Sequence, residues 1–397
     1  MHTHLSIFRL TVINGTSSFK PSNLPTRTRH LSPRPLIIAR RLVHTKMAAV
    51  QYAKDQPAGF KNKIEKVAII GAAGYIGRNF TRELLKTGKH TVTALTRADS
   101  KSAIPEGVHK VVVDYDDHSS IVKALTGQDF LIITLSVRAP RDLSLKIATA
   151  AAEAGIRWIM PNAYGPNPNS QTMYDEMGFG QSYRGLMEKL HELKLNPVVL
   201  TCGFWYEFSL AGGLSRYGFD IANRKVTLFD KGDVKMYTST LPQCGRAAAA
   251  LLSLPLLPED ASSDASATLS HYTEPQPAYI RSFHVSQNDM LASLKRVTGT
   301  TDADWTITTE PSQERWANAA KALKSGGGVH LDGKTPMAPI EAFSMVMYTR
   351  IFFPGGDGLT DKDIKNGALG LPDEDLDEWT KEAVRLVQTN ELATYGQ

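Results

Sequence analysis

The chain has 397 residues, 42% hydrophobic and 21% charged, a globular composition long enough to bury a large core and to form two or three domains. No apolar run approaches the roughly 18 residues that a membrane span needs; the nearest, Ala247 to Leu257, is interrupted by Pro255. Eight of the 45 Lys and Arg lie in residues 1–46 with no acid among them, so the remainder sets 37 bases against 40 acids, a net of −3. Charge therefore gives no case for a nucleic-acid or membrane partner.

Residues 1–46 are expected to be a disordered leader outside the fold. An over-extended start, with Met47 as the true first residue, is favoured. Their Arg-rich, acid-free composition also suits a mitochondrial transit peptide, although Pro21, Pro25, Pro33 and Pro35 would spoil an amphipathic helix. A cytoplasmic location follows from the first reading and a mitochondrial one from the second. The two cysteines, Cys202 and Cys244, have no metal-type spacing and read as buried structural thiols, with no metal expected.

From Glu65 to Leu200 short apolar runs alternate with segments of helical period. Lys66 to Ile70, His90 to Thr96, Lys110 to Val113, Phe130 to Leu135, Trp158 to Met160 and Pro197 to Leu200 read as strands. Helices are predicted after Tyr75 (Ile76, Phe80 and Leu84 inward, Gly88 as stop), over Asp116 to Leu125, Leu143 to Ala154 and Ser182 to Lys194. Strict alternation implies an α/β fold, a Rossmann-type doubly wound parallel sheet, with the ends of strands one and four beside one crevice. After Leu200 the alternation fails. Helices at Gln243 to Leu254 and near Leu376 to Val387, a strand at Ser282 to Ser286, a polar surface insertion at 258–278 and a Gly/Pro loop at Lys324 to Pro339 suggest a smaller α+β lobe. The expected division is residues 60–202 as an NAD(P)-binding domain and 203–397 as a substrate lobe, partly packed on the sheet.

Gly71-Ala72-Ala73-Gly74-Tyr75-Ile76-Gly77 lies between a strand and a helix, the context a dinucleotide phosphate loop requires. Gly71 permits the tight turn, Gly74 lets the backbone approach a pyrophosphate, and Gly77 lets helix and strand pack closely. The helix N-terminus, with Ala73, Tyr75 and Ile76 beside the glycines, then offers N–H groups to phosphate oxygens. At the end of the second strand stand Thr96 and Arg97, with Lys101 beyond, where an acid would mark NAD. Arg97 can pair with a 2′-phosphate and points to NADP(H), unless it is a solvated surface charge. Asp114, Leu135, Ser136 and Asn162, at the ends of strands three, four and five, complete the candidate cofactor contacts.

None of the 13 tyrosines has Lys four residues on, so the usual Tyr–Lys pair of short-chain dehydrogenases, in which Lys lowers the Tyr pKa, is excluded. Tyr164, just after the fifth strand, and Tyr183, opening a helix, are the candidate proton donors. Tyr183 shares a helical face with Leu186, Leu190 and Leu193, which equally suits a core role. His191 reads as a surface or structural residue. Phe204, Trp205 and Tyr206 could wall a pocket for a flat apolar substrate or be packing core.

Lys66 to Gly77, Leu95-Thr96-Arg97, Gly107 to Asp114, Ala150 to Gly155, Pro161 to Gly165 and Leu200 to Phe204 together resemble the NmrA-like, isoflavone-reductase-like branch of atypical short-chain dehydrogenases. Cys202 to Ser209, Pro242 to Arg246 and Lys295 to Asp304 look more narrowly like its fungal CipA-like oxidoreductases. The likeness spans about residues 52–390 and agrees with a start at Met47. It implies NADPH-dependent reduction of aromatic or polyketide-like compounds, in secondary metabolism, by hydride transfer. The branch also includes members that sense the dinucleotide as regulators without turnover. Family reductases carry a Lys at or near the position of Tyr183, so Tyr183 either replaces it or catalysis is weakened.

Overall fold

A computed structural model describes residues 51–394 except 137 and 141; the expectations for residues 1–46 lie outside it. From Tyr52 onward the chain is one compact unit. Six parallel strands, β1 (Lys66–Ile70), β2 (Thr91–Thr96), β3 (His109–Val112), β4 (Phe130–Ile133), β5 (Trp158–Met160) and β6 (Asn196–Pro197), stand in the order β3-β2-β1-β4-β5-β6. Between them run α1 (Tyr75–Lys86), α2 (His118–Leu125), α3 (Leu143–Glu153), α4 (Gln171–Glu176) and α5 (Gly180–Glu192). This is the doubly wound order in which the chain reverses between β1 and β4 and leaves a crevice at their C-terminal ends.

Alternation along β1 divides the core. Val67 and Ile69 face Phe80 and Leu84 of α1, whereas Ala68 and Ile70 face Ile121 and Leu125 of α2 and Ile147 of α3. Both faces are covered, which is why the strand is apolar throughout. α2 starts where the Asp117 carboxylate accepts the Ser119 N–H.

The last strand departs from expectation. Only Asn196–Pro197 join the sheet; β7 (Leu200–Thr201) turns away and pairs with β12 (Ala278–Tyr279). Residues 258–278 are accordingly not simply a surface insertion. Leu269, Tyr272 and Ala278 are buried beneath the sheet.

Beyond β7 the chain makes β8 (Phe204–Trp205), α6 (Tyr206–Leu210), β9 (Phe219–Asp220), β10 (Lys225–Phe229), β11 (Met236–Ser239) and α7 (Leu241–Leu252). After β12 come β13 (Phe283–Val285), α8 (Gln287–Thr298), β14 (Thr306–Glu310) and α9 (Ser312–Ser325). A small hairpin, β15 (Gly328–Val329) and β16 (Pro336–Met337), stands where a loop was expected; α10 (Pro339–Arg350) and α11 (Leu376–Gln388) follow. α7 returns to pack on α1, with Cys244 and Ala248 in the same core as Phe80. A separate aromatic core of Tyr206, Tyr217, Phe229 and Phe352 joins α6 to α10 and to Ala383 of α11.

Candidate active site

The phosphate loop is shaped by its own main chain. Gly71 has φ +81°, and a Cβ there would lie 2.1 Å from the Thr134 carbonyl oxygen. At Gly77 a Cβ would lie 2.1 Å from the Gly71 carbonyl oxygen. Helix α1 is thus pressed onto the turn closely enough to exclude any side chain. Gly74 differs: the residue is exposed and a Cβ there would meet only the Gly71 carbonyl oxygen, at 3.2 Å, a contact that a shift of a few tenths of an ångström would relieve. Gly74 is the N-cap of α1, and its N–H bonds the Gly71 carbonyl at 2.9 Å. The first helical bond runs from Arg78 N–H to Gly74 O, so the N–H groups of Tyr75, Ile76 and Gly77 precede it, without a side-chain cap or an acid in the first turn. That is a cradle for an anion at the positive end of a helix.

Around this loop the strand ends hold the other expected residues. Thr134 Oγ1 donates to Ile70 O at 2.7 Å, tying β4 to β1 and ending β4 before Leu135. Asn162 Nδ2 donates to Leu135 O at 2.9 Å, which brings Asn162, Leu135 and Ser136 together. Ser136 Oγ accepts the Arg138 N–H. Arg97, at the end of β2, is exposed and pairs with Asp99 at 3.4 Å. It also lies near Tyr115, whose hydroxyl donates to Leu95 O beside Thr96. Lys101 is exposed. Asp114 accepts Asp116 N–H and shapes the turn after β3.

The two tyrosines part company. Tyr164 is 4% exposed, packs edge-on to Phe80, and donates its hydroxyl to Ile133 O at 2.9 Å. Burial holds that hydroxyl protonated, its pKa well above the usual value. Tyr164 is a strut between β4, β5 and α1, and this corrects its placement as a proton donor at the crevice edge. The Tyr183 hydroxyl has no hydrogen-bond partner among the described residues. Its ring packs edge-on to Tyr174 and lines a cleft of about 330 Å³ with Pro168, Arg184, Glu274 and Pro275. Burial, then Tyr174 and Glu274, raise its pKa far above the ordinary value. No residue of the 71–77 loop, nor Leu135, Ser136 or Asn162, lines that cleft. His191 faces Glu274 at 3.5 Å.

The aromatic run after β7 also divides. Tyr206 is fully buried, with its hydroxyl 2.7 Å from Thr380 Oγ1 of α11, so it anchors α6 and does not wall a pocket. Phe204 is stacked on Tyr348 at 4.1 Å. Trp205 remains partly exposed and meets Phe208 edge-on at 5.6 Å, and Phe208 in turn meets Tyr75 of the phosphate loop at 5.1 Å. Phe208 is therefore the residue that joins this segment to the loop. Arg216 lies over the Phe208 ring at 3.9 Å and donates from Nη1 to Phe208 O at 2.6 Å. A lone Arg after two glycines carries no signal in the sequence that would have singled it out. Behind the wall, Glu207 is buried. One of its carboxyl oxygens accepts Leu241 N–H at 2.9 Å and the other has no partner among the described residues. Burial, helped by the nearby Glu374, pushes this carboxyl up to about 8.

With this geometry in place, comparison with known proteins is informative. Residues 63–177 match the NmrA-like family model. The oxidoreductase aprR of Aspergillus flavus is 28% identical over 321 residues, 79% of this chain and 96% of that protein. Among solved structures, that of pinoresinol-lariciresinol and phenylcoumaran benzylic ether reductases superposes with a TM-score of 0.62 at 18% identity, over 82% of this chain and 99% of that one. AtPrR2 in complex with NADP+ and (+)pinoresinol gives 0.61 at 17% identity, over 81% and 99%. Residues 63–177 thus resemble the NmrA-like family, and the strand order and overall fold are those of the solved isoflavone-reductase-type structures.

Proposed function

We propose that the protein is an NADPH-dependent oxidoreductase that reduces a small aromatic or polyketide-like molecule, with residues 60–202 holding the dinucleotide and 203–397 forming the substrate lobe. The observation that carries this reading is the contrast at the loop: Gly71 and Gly77 are required by packing, while Gly74 is exposed with a single neighbour at 3.2 Å, at the N-terminus of a helix that has no side-chain cap and no acid in its first turn. A glycine so little constrained by packing is explained by an incoming pyrophosphate. Tyr75, Ile76 and Gly77 would bind it through the main chain, with Ala73 beside them, and Asn162, Leu135 and Ser136 would border the nicotinamide end. Thr96, Arg97, Lys101 and Asp114 would border the adenosine end, where Arg97 and Lys101 suit a 2′-phosphate. The likeness to a reductase fold that holds NADP+ supports the same choice.

When bound, NADPH supplies the hydride. Of the two tyrosines considered, only Tyr183 has a hydroxyl without a hydrogen-bond partner among the described residues. Its raised pKa makes it a hydrogen-bond donor to a developing oxyanion rather than a group that ionises readily. The test is NADPH oxidation with aromatic ketones, enones or quinones, run with NADH in parallel. Arg97→Glu should weaken NADPH by about 100-fold while leaving NADH within a few-fold, since it replaces a charge-assisted pair by repulsion. Equal losses for the two cofactors would remove Arg97 from the site.

A second reading, a dinucleotide-sensing regulator without turnover, is favoured by one observation: the Tyr183 cleft contains no residue of the phosphate loop. It predicts tight NADP(H) binding and no NADPH oxidation with any of these acceptors.

A further inference from the structure

We propose that Arg216 is the substrate-recognition residue of this site and that the substrate carries an anionic oxygen, a carboxylate in particular, on a flat ring system. The inference rests on the reductase reading and narrows its substrate.

Six arginines are buried or half-buried among the described residues. Five of them face a carboxylate: Arg78 meets Glu391, Arg246 meets Glu374, Arg281 meets Asp361, Arg315 meets Glu310 and Arg350 meets Glu176. Arg216 alone has no acidic partner among the described residues. A half-buried guanidinium without a counter-charge is unfavourable unless something else compensates it.

Its position is nevertheless built. A Cβ on Gly212 would sit 2.1 Å from Arg216 Cδ, so glycine there makes room for the side chain. The Phe208 ring lies beneath the guanidinium, and Phe208 O holds Nη1. The Phe208 ring in turn packs on Tyr75, the first residue of the phosphate-loop helix, and on the partly exposed Trp205. The unpaired cation therefore stands on the aromatic wall that adjoins the cofactor loop. One guanidinium nitrogen is fixed, the Tyr348 ring lies 5.9 Å away, and among the described residues the rest of the planar fork has no hydrogen-bond partner, the arrangement that selects carboxylates. A ring lying along Trp205 and Phe208 would bring such a group to it.

The dinucleotide pyrophosphate is the other anion within the same chemistry, and the experiment separates the two. The full chain, saturated with NADP+, is titrated calorimetrically with 2-naphthoate and with methyl 2-naphthoate, and NADP+ itself is titrated into each variant. The unaltered protein should prefer the acid at least about tenfold, the scale of one charge-assisted hydrogen bond. Arg216→Met, which keeps length and the stack on Phe208, should abolish that preference and leave the NADP+ Kd within twofold. Arg216→Lys, which keeps the charge but loses the fork, should retain only part of it. Failure of the unaltered protein to bind the acid, or equal binding of acid and ester, overturns the proposal. So does a preference that survives Arg216→Met, or a loss of NADP+ affinity in that variant, which would assign Arg216 to the pyrophosphate. If Arg216→Met does not fold, the acid–ester comparison and the Lys variant decide. None of these titrations needs turnover, so the two failures are distinguishable: absent NADPH oxidation counts against the reductase reading, and a missing acid preference counts against Arg216.

Discussion

In the phosphate loop, main-chain atoms set the shape. The Thr134 carbonyl bars a side chain at Gly71, the Gly71 carbonyl bars one at Gly77, and the functional groups are N–H groups of the backbone. In the wall that faces it, side chains do everything: Phe208 touches Tyr75, Trp205 touches Phe208, and Arg216 and Glu207 stand in front and behind. The first arrangement is rigid and indifferent to what the protein reduces. The second keeps polar atoms without partners among the described residues, at Trp205 Nε1 and one Glu207 oxygen, and can be altered residue by residue. On the proposed reading, cofactor binding and substrate choice are thus written in two different materials, which meet where Phe208 packs edge-on to Tyr75.

The largest effect should come from breaking the loop. In Gly77→Ala the new methyl meets a backbone oxygen at 2.1 Å. Neither the β1 turn nor α1 can move without disturbing the core of Val67, Phe80 and Leu84. A loss of roughly 5 kcal/mol, at the upper end for single substitutions, is expected in urea unfolding. Gly74→Ala sharpens the contrast, because its methyl meets only one atom, at 3.2 Å. It should melt within about 3 °C of the parent, a shift worth about 1 kcal/mol, yet lose at least about tenfold in NADP+ affinity. Equal thermal damage from the two substitutions would mean that Gly74 is structural after all.

On the wall, Glu207 makes stability depend on pH. Its carboxyl titrates near 8 in the folded protein because burial disfavours the anion, whereas in the unfolded chain it titrates at an ordinary carboxyl value. Below about pH 4.5 both states hold the proton and the group has no effect. As pH rises towards 8 the unfolded state ionises freely and the folded state does not, so stability falls. The loss approaches an upper bound on the order of 5 kcal/mol by pH 9. Glu207→Gln keeps an acceptor for Leu241 N–H and cannot ionise. It should be more stable than the parent at pH 9 and close to it at pH 5, by urea denaturation at each pH. A parent whose stability is flat between pH 6 and 9 would contradict this account.

The same division explains what could be read from the sequence. β1 and β5 have the bounds that their apolar runs predict, because a strand buried on both faces is recognisable locally. β4 is shorter than its apolar run, which extends to Leu135, because Thr134 turns its hydroxyl back to Ile70 O. The run Pro197 to Leu200 fails as one strand because its second half pairs with Ala278 and Tyr279, a partner that nothing in the local pattern announces. Among the site candidates, the glycines carry their own steric logic. Side-chain direction does not: Tyr164 and Tyr206 follow strand ends as a pocket residue would, but their rings turn towards Phe80 and Phe283. Thr134 had a signal, since it lies next to Gly71 once β1 and β4 are paired in register. Phe208 had only its place in the aromatic run 203–208, and Arg216 had none, because their importance depends on how α6 docks on α1.

The smallest effects separate the two tyrosines. Tyr164→Phe removes the hydroxyl that bonds Ile133 O but keeps the ring against Phe80. It should cost about 1 kcal/mol, the net worth of one hydrogen bond, and leave kcat and KM unchanged. Tyr183→Phe removes a hydroxyl that bonds nothing in the described protein, so stability should hold or rise by a few tenths of a kcal/mol. If Tyr183 steadies a developing oxyanion, kcat should fall by about 10- to 100-fold with little change in KM, because the interaction forms only as charge develops. A Tyr183→Phe variant with full kcat would remove Tyr183 as the donor, and a Tyr164→Phe variant with lost kcat would mean that Tyr164 is more than a strut. The protonated Glu207 carboxyl is buried behind that wall with its own hydrogen bond to Leu241, so its reach to substrate would require α6 to shift.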